Sequence, residues 1–510
     1  MTEILFRGGH IFDPDAPSGM TDPTDLLIRN GRIAAIGQIG DRPGAEVVIA
    51  TDTLLMPGLI NGHFHSPVNH MKGALPSLPL ELFMLYESPA VEVLRPSPRE
   101  AYLRTTLAAI EMLKGGVTAV QDDAFFVPTP EPEIIDAVMQ AYADTGLRAS
   151  VALDQPELPE LEKLPFLADL LPPDLREVLG KAPTPDAQGL LDLYDHLIAR
   201  WHGACDGRLT AAVSCSAPQR VSPDYMRALD DVSRRHDIPY YAHMLETRLQ
   251  RVLKDHQPRF AGRSLIEYTD DLGLLSKRMN VIHAIWMDDG DYDLIASRGA
   301  TVAHNPISNL RLGSGVMPWR RIADRGINLC LGTDEAIADD SVNLWQVMKM
   351  AGLVHNLSGP DHALWPKASE ILRAATQGGA RAMLRGDDLG RIAQGFRADI
   401  TQIDLTALPF TPMNDLRRQL VYCETGNSVL LTMVDGRIVY RHGGITTVDE
   451  CALLAEARSL FADRQAALRE ARDQAAEVRP FYEEMLRLAE AQPVDIHRRL
   501  PSATDEGTSP

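Results

Sequence analysis

The chain has 510 residues and a formal net charge of −20, with 45% hydrophobic and 24% charged residues. This composition is typical of a folded globular protein and argues against a disordered, collagenous or coiled-coil chain. The acidic charge argues against nucleic acid or an anionic membrane as a partner, and no apolar stretch approaches the length of a membrane span. The length predicts two or more domains, or one large barrel with an accessory domain.

The five cysteines are scattered and include no Cys-x-x-Cys pair. A disulfide framework is therefore not expected, and reduced thiols favour a cytoplasmic location. The first residues lack the apolar core and the small-residue cleavage site of a secretory signal, which supports the same expectation.

Short strands and turns are predicted in the first 57 residues, with Asn30-Gly31 as a two-residue hairpin between two apolar runs. From residue 58 onward, short apolar strands alternate with longer segments that have apolar residues at helical spacing. The predicted strands are residues 54–65, 116–122, 148–154, 208–218, 238–246, 280–286, 300–306 and 327–335.

Eight β-α units in series predict an α/β fold, a (β/α)₈ or TIM barrel over residues 58–389. A doubly wound sheet is the competing interpretation, but no Gly-x-Gly-x-x-Gly sequence follows the first strand. The strand-and-turn pattern returns at residues 390–445, where Asp435-Gly436 predicts another hairpin. We expect this segment to join residues 1–57 in a small composite β-sandwich domain beside the barrel.

A helical tail is predicted at residues 446–492, where Ala, Glu, Leu and Arg dominate. We expect its apolar residues to be buried against the barrel or against a second subunit, in a homodimer or a higher homo-oligomer. Residues 493–510 have the composition of a disordered end.

Histidines and an aspartate mark the ends of several predicted barrel strands. His63 and His65 are two residues apart on the first strand, so both imidazoles point to the same side and can reach one metal ion. His243 ends the fifth strand and Asp334 the eighth, on the face where barrel enzymes keep their sites. Three imidazoles and one carboxylate suit Zn²⁺, with water completing the coordination shell, and Fe²⁺ accepts the same ligand types.

Two further histidines, His283 and His304, fall in the sixth strand and at the end of the seventh. For either one alone, a hydrogen-bonded structural histidine is the simpler interpretation. The placement of all these groups at strand ends is hard to attribute to chance, so we interpret them together as one site.

Five motifs, in this order and spacing, resemble the amidohydrolase superfamily. They are PGLINGHFH (57–65), HMLET (243–247), HNPISNLRLGSG (304–315), GTDEA (332–336) and GRIAQGFRADI (390–400). The pattern is most similar to the mononuclear deaminases and chlorotriazine hydrolases, which carry His-x-x-Glu on the fifth strand. The binuclear branch carries a bridging lysine or glutamate on the fourth strand, and residues 208–218 offer neither. The resemblance therefore implies one divalent ion per chain, held by His63, His65, His243 and Asp334.

The resemblance also implies catalytic roles for Glu246, His283 and Asp334. Glu246 would shuttle a proton between the water and a ring nitrogen, although a surface glutamate that begins a helix is the alternative interpretation. His283 would contact the hydroxide or the substrate, and Asp334 would take a proton as well as bind the metal. Further contacts to the substrate are predicted for Glu92, Arg220, His304 and Asn305.

One departure from the family pattern concerns the substrate. Many relatives have a histidine before a Pro-Tyr-Thr turn after the fourth strand, whereas this chain has Ser-Ala-Pro-Gln-Arg at residues 216–220. This difference puts an adenosine-type substrate in doubt, and Arg220 itself suits an anionic substrate group as well as a place on the surface.

The sequence therefore predicts a metal-dependent aminohydrolase acting on the C–N bond of an aminated N-heterocycle, such as a purine, pyrimidine, pterin or triazine. The same machinery can cleave a cyclic amide, a carbamoyl group or a C–halogen bond. A catalytically inactive barrel scaffold is the alternative from another class, and the retention of the whole ligand set with Glu246 argues against it. We expect a small-molecule substrate and no nucleic acid or membrane partner.

Overall fold

The computed structural model describes residues 3–87 and 92–500. The strands of these residues form a parallel barrel and a mixed sheet. They are β1 (Glu3–Ile11), β2 (Thr24–Arg29), β3 (Arg32–Gly37), β4 (Glu46–Ile49), β5 (Thr53–Pro57), β6 (Leu59–Phe64), β7 (Val117–Phe125), β8 (Arg148–Asp154), β9 (Leu209–Ala211), β10 (Val213–Ser214), β11 (Tyr240–Met244), β12 (Met279–His283), β13 (Thr301–His304), β14 (Asn328–Leu331), β15 (Ile400–Asp404), β16 (Val429–Val434), β17 (Arg437–Arg441) and β18 (Gly444–Ile445).

Helices fill most of the connections between the barrel strands, and further helices follow the last barrel strand. They are α1 (Leu80–Glu87), α2 (Pro98–Lys114), α3 (Pro132–Thr145), α4 (Glu160–Lys163), α5 (Leu167–Leu170), α6 (Pro173–Leu179), α7 (Ala187–Trp201), α8 (Ala204–Gly207), α9 (Pro223–His236), α10 (Arg248–His256), α11 (Leu265–Asp271), α12 (Asp289–Arg298), α13 (Pro306–Arg311), α14 (Trp319–Ala323), α15 (Leu344–Val354), α16 (Ala368–Arg373), α17 (Gly379–Ala382), α18 (Leu416–Tyr422), α19 (Glu450–Asp463) and α20 (Gln465–Glu490). Among the described helices, none combines the length and the apolar character that a membrane span requires.

The barrel consists of parallel strands in chain order, in two arcs, β6 to β9 and β10 to β14. β9 and β10 are two parts of one strand, joined by Ala212, whose N–H donates to the Val151 carbonyl at 2.8 Å. The barrel closes between β6 and the end of β14. There the Asp334 N–H donates to the His63 carbonyl at 3.0 Å, and Phe64 pairs with Asp334. The predicted (β/α)₈ barrel is thereby confirmed, and its carboxyl-terminal face carries the strand ends that the site uses.

The first predicted barrel strand, residues 54–65, is in fact two strands that belong to different sheets. Gly58 separates β5, in the mixed sheet, from β6, in the barrel. A Cβ atom at Gly58 would lie 2.1 Å from side-chain atoms of Thr118, so only glycine fits where the chain passes between the sheets. The sequence does not show this break, because both strands are buried along their whole length and their residues form one continuous apolar run.

Strands from both flanks of the barrel pair in one nine-stranded sheet. Its order is β18-β17-β16-β15-β5-β1-β2-β3, with β4 beside β1. β5 pairs antiparallel with β15, so that Thr53 lies opposite Asp404. Buried side chains from both ends of the chain, among them Phe6 and Met433, pack in one apolar cluster. The boundaries between this sheet and the barrel, at 57/58 and 389/390, stay our proposal.

A buried ion pair joins the mixed sheet to the barrel. The Arg148 guanidinium on β8 donates to both carboxylate oxygens of Asp399, at 2.8 and 2.9 Å. Arg148 is 1% exposed. Asp399 also accepts a hydrogen bond from the N–H of Asp435, at 2.8 Å, so that one carboxylate connects β8, β15 and the hairpin between β16 and β17.

The C-terminal helix crosses the face of the barrel that carries the strand ends. α20 packs against α1, α5 and α10, and the Tyr482 hydroxyl donates to Glu160 at 2.9 Å. Residues 493–500, expected to be disordered, instead pack on the barrel. The Arg498 guanidinium donates to the carbonyls of Ile285 and Met287, both at 2.8 Å. The rest of that expectation, residues 501–510, lies outside the described residues.

Candidate active site

The predicted metal ligands converge at the carboxyl-terminal end of the barrel. His63 lies in β6, His65 directly follows it, His243 lies in β11, and Asp334 follows β14. The Nε2 atom of His63 is 3.2 Å from Asp334 Oδ1 and 3.2 Å from His243 Nε2. The Nε2 atom of His65 is 3.4 Å from the same Asp334 oxygen. All of these side chains are buried, so they form one compact set of donor atoms.

Hydrogen bonds on the outer side of the imidazoles fix which nitrogen faces inward. His65 Nδ1 lies 2.5 Å from the Asp123 carbonyl and His243 Nδ1 lies 2.7 Å from the Ser216 carbonyl. A carbonyl only accepts, so each Nδ1 carries a proton and each Nε2 faces the cluster, where it can offer a lone pair to a metal ion once it carries no proton of its own. Inward lone pairs beside a carboxylate are the donor set of a divalent metal site, and the residues present fit such an ion.

The charges in this cluster follow from its burial. Burial lowers the pKa of His63 to about 4 and lowers that of His243 well below its ordinary value. Burial opposes the charged form of His65 too, but its hydrogen bond to Asp334 leaves its pKa well above the ordinary value. The same hydrogen bonds, from His63 and His65, hold the pKa of Asp334 well below its usual range in spite of burial. The Asp334 carboxylate is therefore ionised.

Glu246 is buried and faces the cluster. It is 2% exposed, which contradicts the alternative of a surface glutamate, and the residue that caps α10 is its neighbour Thr247. Its N–H donates to Gln250 Oε1 at 2.9 Å, and within the described part of the chain its Oε1 atom has no hydrogen-bond partner. Burial raises the pKa of Glu246 to about 7, so this carboxyl exists in both protonation states near neutral pH.

His283 stands between Glu246 and Asp334 in a strained backbone conformation. Its Nε2 atom is 3.6 Å from Glu246 Oε2 and 3.9 Å from Asp334 Oδ2, while its Nδ1 atom donates to Asn309 Oδ1 at 2.8 Å. His283 and Ala284 have φ angles of 72° and 52°, which cost a side chain of order 1–3 kcal/mol each. Such strain persists where the surrounding structure fixes it, commonly at functional sites.

A cavity opens over the cluster. Apolar and acidic side chains share its wall with the predicted catalytic groups. The lining residues are His65, Leu80, Met84, Glu87, Phe125, Asp154, Arg220, His243, Glu246, His283, Leu312, Asp334 and Glu335.

Three acidic residues of this lining, Glu87, Asp154 and Glu335, were not predicted. Asp154 ends the third barrel strand, and Glu335 follows Asp334 in the GTDEA motif, so their positions gave a signal comparable to that of the metal ligands. Glu87 lies at the end of α1 and gave no such signal, because only the fold brings α1 over the barrel. The side chains of Glu87 and Glu335 hydrogen-bond to each other; burial raises the pKa of Glu87 to about 7 and that of Glu335 well above its ordinary value.

Of the predicted substrate contacts, the structure brings Arg220 to the cavity. Its guanidinium donates to the Ser216 hydroxyl at 3.0 Å and lies 3.0 Å from Met84 Sδ. Glu92 lies elsewhere, since its side chain is 75% exposed and forms an ion pair with Arg95. Glu87, five residues earlier in the chain, lines the cavity, so the structure gives the predicted substrate contact of Glu92 no support.

The other two predicted contacts, His304 and Asn305, lie behind the cavity wall. His304 Nε2 is 3.2 Å from His355 Nε2, and neither His304 nor Asn305 lines the described cavity. Asn305 is fully buried, and a Cβ atom on Gly332 would lie 2.4 Å from its Oδ1 atom. Both residues therefore support the end of β13 and do not contact the cavity directly.

Comparisons with known proteins agree with this geometry. The amidohydrolase family model matches residues 54–439. The chain is 29% identical to a 5′-deoxyadenosine deaminase from Methanosarcina mazei over 459 residues, 90% of this chain and 97% of that protein. It is 31% identical to a 5-methylthioadenosine/S-adenosylhomocysteine deaminase from Nitratidesulfovibrio vulgaris over 466 residues, again 90% and 97% of the two chains.

Two solved structures have the same fold. An adenosine deaminase from Xanthomonas campestris with bound zinc has a TM-score of 0.76 and 25% identity, covering 93% of this chain and 99% of that one. An atrazine chlorohydrolase from Arthrobacter aurescens in complex with zinc has a TM-score of 0.79 and 25% identity, covering 90% and 99%. The predicted fold and the predicted hydrolase of carbon–nitrogen bonds are confirmed. With a family match across most of its length and a deaminase relative at 31% identity, the chain belongs to the amidohydrolase family.

Proposed function

We propose that this protein is a zinc-dependent aminohydrolase that removes the amino group of an aminated N-heterocycle. One ion per chain would be held by His63, His65, His243 and Asp334. The observation that carries the proposal is the convergence of three inward imidazole nitrogens and one carboxylate beside a buried Glu246, whose Oε1 atom has no hydrogen-bond partner among the described residues. Deaminase relatives that match nine-tenths of the chain support the same reaction.

When bound, the cation supplies Lewis acidity that brings the pKa of a coordinated water toward about 7. Glu246 in its ionised form accepts a proton from the attacking water and delivers it to the ring nitrogen next to the carbon under attack. His283 Nε2 faces the same space and holds the attacking oxygen. Asp334 Oδ2, 3.9 Å from His283 Nε2, accepts the second water proton and passes it to the leaving nitrogen, so that ammonia departs and the ring carbon becomes a carbonyl.

The environment of Glu246 suits this double task. A group that accepts a proton and then returns it works best when its pKa is close to the working pH. Burial gives Glu246 a pKa of about 7, whereas an exposed glutamate, with a pKa near 4.3, is a much weaker base. The apolar side chains of Leu80, Met84 and Leu312 around the cavity provide that burial.

The test is a release assay on zinc-loaded protein with aminated purines, pyrimidines, pterins and triazines as substrates. We expect ammonia from at least one of these classes, and zinc analysis should give one ion per chain. The second candidate, cleavage of a C–halogen bond, is favoured by the likeness to the atrazine chlorohydrolase structure; a chlorotriazine in the same screen would then release chloride. Neither product from any substrate, at one zinc per chain, would overturn both proposals.

The expected homodimer and cytoplasmic location stay predictions. The tail that suggested a dimer buries Leu468, Tyr482 and Met485 within its own chain, so its apolar face gives no further support for a partner subunit. Sedimentation analysis of the zinc-loaded protein would decide between a monomer and a homo-oligomer.

A further inference from the structure

Arg220 is a cavity residue that the mechanism does not use. In the described part of the chain it is the one arginine or lysine in the cavity lining. It ends the short turn Pro218–Arg220, which follows β10, the second part of the fourth barrel strand. Its side chain is half-buried. An arginine keeps its charge at any working pH, so what it contributes to the cavity does not depend on a protonation state.

The backbone of Arg220 is held from two sides. Its N–H donates to the Ala217 carbonyl at 2.8 Å, and its own carbonyl accepts from the N–H groups of Glu157 and Leu158, both at 3.0 Å. Glu157 and Leu158 belong to the segment after β8, so the loops after the third and fourth barrel strands fix this turn together. The guanidinium therefore reaches the cavity from a fixed support.

The contacts of the guanidinium with the protein are weak. It donates to the Ser216 hydroxyl at 3.0 Å and lies 3.0 Å from Met84 Sδ, and a thioether is a weak acceptor. Among the described residues, no carboxylate forms an ion pair with Arg220. A guanidinium carries several N–H donors, so donors are left over for a ligand. A partly buried cation of this kind gains free energy when a ligand supplies an acceptor oxygen.

Arg220 and Glu246 come from neighbouring strand ends. β10 and β11 pair in parallel, with Ser214 opposite Tyr241, and Arg220 follows the first of these strands as Glu246 follows the second. Neighbouring strands lie about 4.8 Å apart, so one six-membered ring can meet both side chains. If Glu246 serves the ring nitrogen next to the carbon under attack, Arg220 faces a substituent farther along the same edge of the ring.

We propose that Arg220 selects a substrate with a ring carbonyl, an amino-oxo heterocycle whose carbonyl is next to the nitrogen that Glu246 protonates. This inference rests on the proposed function, since it names the substrate class of the same site. A neutral carbonyl oxygen accepts a charge-assisted hydrogen bond from the guanidinium. A carboxylate would accept one as well, but it would bring a second negative charge into the cavity where Glu246 acts as a carboxylate, and like charges repel.

Binding of small probes tests the role of Arg220 without turnover. 2-Pyridone has a ring carbonyl next to an N–H, pyridine lacks the carbonyl, and neither carries an amino group. Each is titrated by calorimetry into the zinc-loaded wild type and into zinc-loaded Arg220→Met. A hydrogen bond to a charged group is worth roughly 10- to 100-fold in affinity, so we expect Arg220→Met to weaken 2-pyridone by about that factor. The affinity for pyridine and the zinc content should not change.

Two further variants separate recognition of the ligand from support of the fold. Ser216→Ala removes the hydroxyl that Arg220 contacts and keeps the backbone carbonyl that His243 contacts, so it should retain most of the affinity for 2-pyridone. Arg227→Met is the matched control, because Arg227 forms an exposed ion pair with Asp224 outside the cavity, and it should behave as the wild type.

Three binding results would overturn the proposal. They are an unchanged affinity of Arg220→Met for 2-pyridone, an equal loss for 2-pyridone and pyridine, which would indicate a structural role, and a loss confined to benzoate, which would assign Arg220 to a carboxylate.

Turnover gives an independent measure on pairs of rings that differ in the carbonyl alone, cytosine against 4-aminopyrimidine and guanine against 2-aminopurine. For at least one pair we expect Arg220→Met to reduce the preference in kcat/KM for the oxo ring by about tenfold or more. A preference that is the same in the variant and the wild type would contradict the proposal. Failure of the proposed function would show differently, as no ammonia from any heterocycle while Arg220→Met still weakens 2-pyridone binding.

Discussion

At the scale of single residues, Glu246 and His283 lie next to each other in the cavity beside the proposed metal ligands. Glu246 offers an unpaired oxygen, and His283 is held from behind by Asn309 so that its Nε2 atom faces inward. Neither side chain belongs to the proposed ligand set, so we expect the metal to stay bound when either is changed.

We expect Glu246→Gln to keep zinc and to lose at least about two orders of magnitude in kcat. Glutamine preserves the shape and can hydrogen-bond, but it can neither accept nor deliver a proton, and such proton transfer contributes about 10²- to 10⁴-fold. The measurements are zinc per chain and ammonia release on an identified substrate. His243→Ala is the contrasting variant and should lose zinc and activity together; near-normal turnover by Glu246→Gln would reassign the shuttle to Asp334.

The pKa of Glu246 also predicts how activity depends on pH. Because the ionised form must accept the first proton, kcat/KM should fall about tenfold per pH unit below a pH near 7 and level off above it. The profile is measured by ammonia release between pH 5 and 9. A profile that stays flat down to pH 5 would mean that Glu246 is not the base.

The convergence of the proposed metal ligands could be predicted from the sequence because strand geometry is local. Two residues two apart on a strand share a face, so His63 and His65 indicated a common target before the fold was known. Glu87 could not be found in this way, since it reaches the cavity only through the packing of α1 over the barrel. His304 does not line the described cavity, because a strand end predicts a position along the barrel axis but not the direction of the side chain.

At the scale of elements, the loop after β12 depends on the C-terminal segment. The Arg498 guanidinium holds the carbonyls of Ile285 and Met287, directly after the strained pair His283 and Ala284. The last described residues of the chain therefore help to fix the loop that follows His283, one of the proposed catalytic side chains.

We expect Arg498→Met to lower kcat by about one to two orders of magnitude, since small displacements of a catalytic group have effects of that size. Zinc content should not change. Arg487→Met is the matched control, because Arg487 forms an exposed ion pair with Glu484 and such pairs contribute little. Equal kinetics for the two variants would show that Arg498 does not position the loop.

The ion pair between β8 and β15 predicts a stability effect. Arg148→Met leaves the Asp399 carboxylate buried without its cation, and breaking a buried pair from one side costs about 3–5 kcal/mol. Urea denaturation should show this loss. The double variant Arg148→Met/Asp399→Asn should recover part of it, and a loss under about 1 kcal/mol would mean that water reaches Asp399.

Most elements could be predicted from local sequence patterns. Both hairpin signals were correct, since Asn30, Gly31, Asp435 and Gly436 all adopt positive φ angles of 51–75°, as a tight hairpin turn requires. The division of residues 54–65 between two sheets was missed because hydrophobic periodicity cannot distinguish neighbouring fully buried strands. The packing of residues 493–500 on the barrel was not predicted. This short polar segment is held by hydrogen bonds to the backbone carbonyls of Ile285 and Met287, and its own sequence does not show these partners.

At the scale of the whole molecule, the proposed metal would link distant parts of the barrel. Its proposed ligands come from the first, fifth and eighth strands, so we expect a bound ion to stabilise the folded state as a whole. Removing zinc with a chelator should lower the unfolding temperature, because a ligand at 100 times its Kd adds about 2.7 kcal/mol. Calorimetry with and without zinc measures the shift; Glu246→Gln should show the same shift and His243→Ala none.

The pairing of β5 with β15 joins residues about 350 positions apart. During synthesis at about 5–20 residues per second, Leu54 and Met56 leave the ribosome tens of seconds before their partner strand exists. For that time an apolar strand edge is exposed, and unpaired edges of this kind favour aggregation. The early N-terminal strands are therefore where a holding chaperone would have the greatest effect on the yield of folded protein, and where a slower rate of translation would be most harmful.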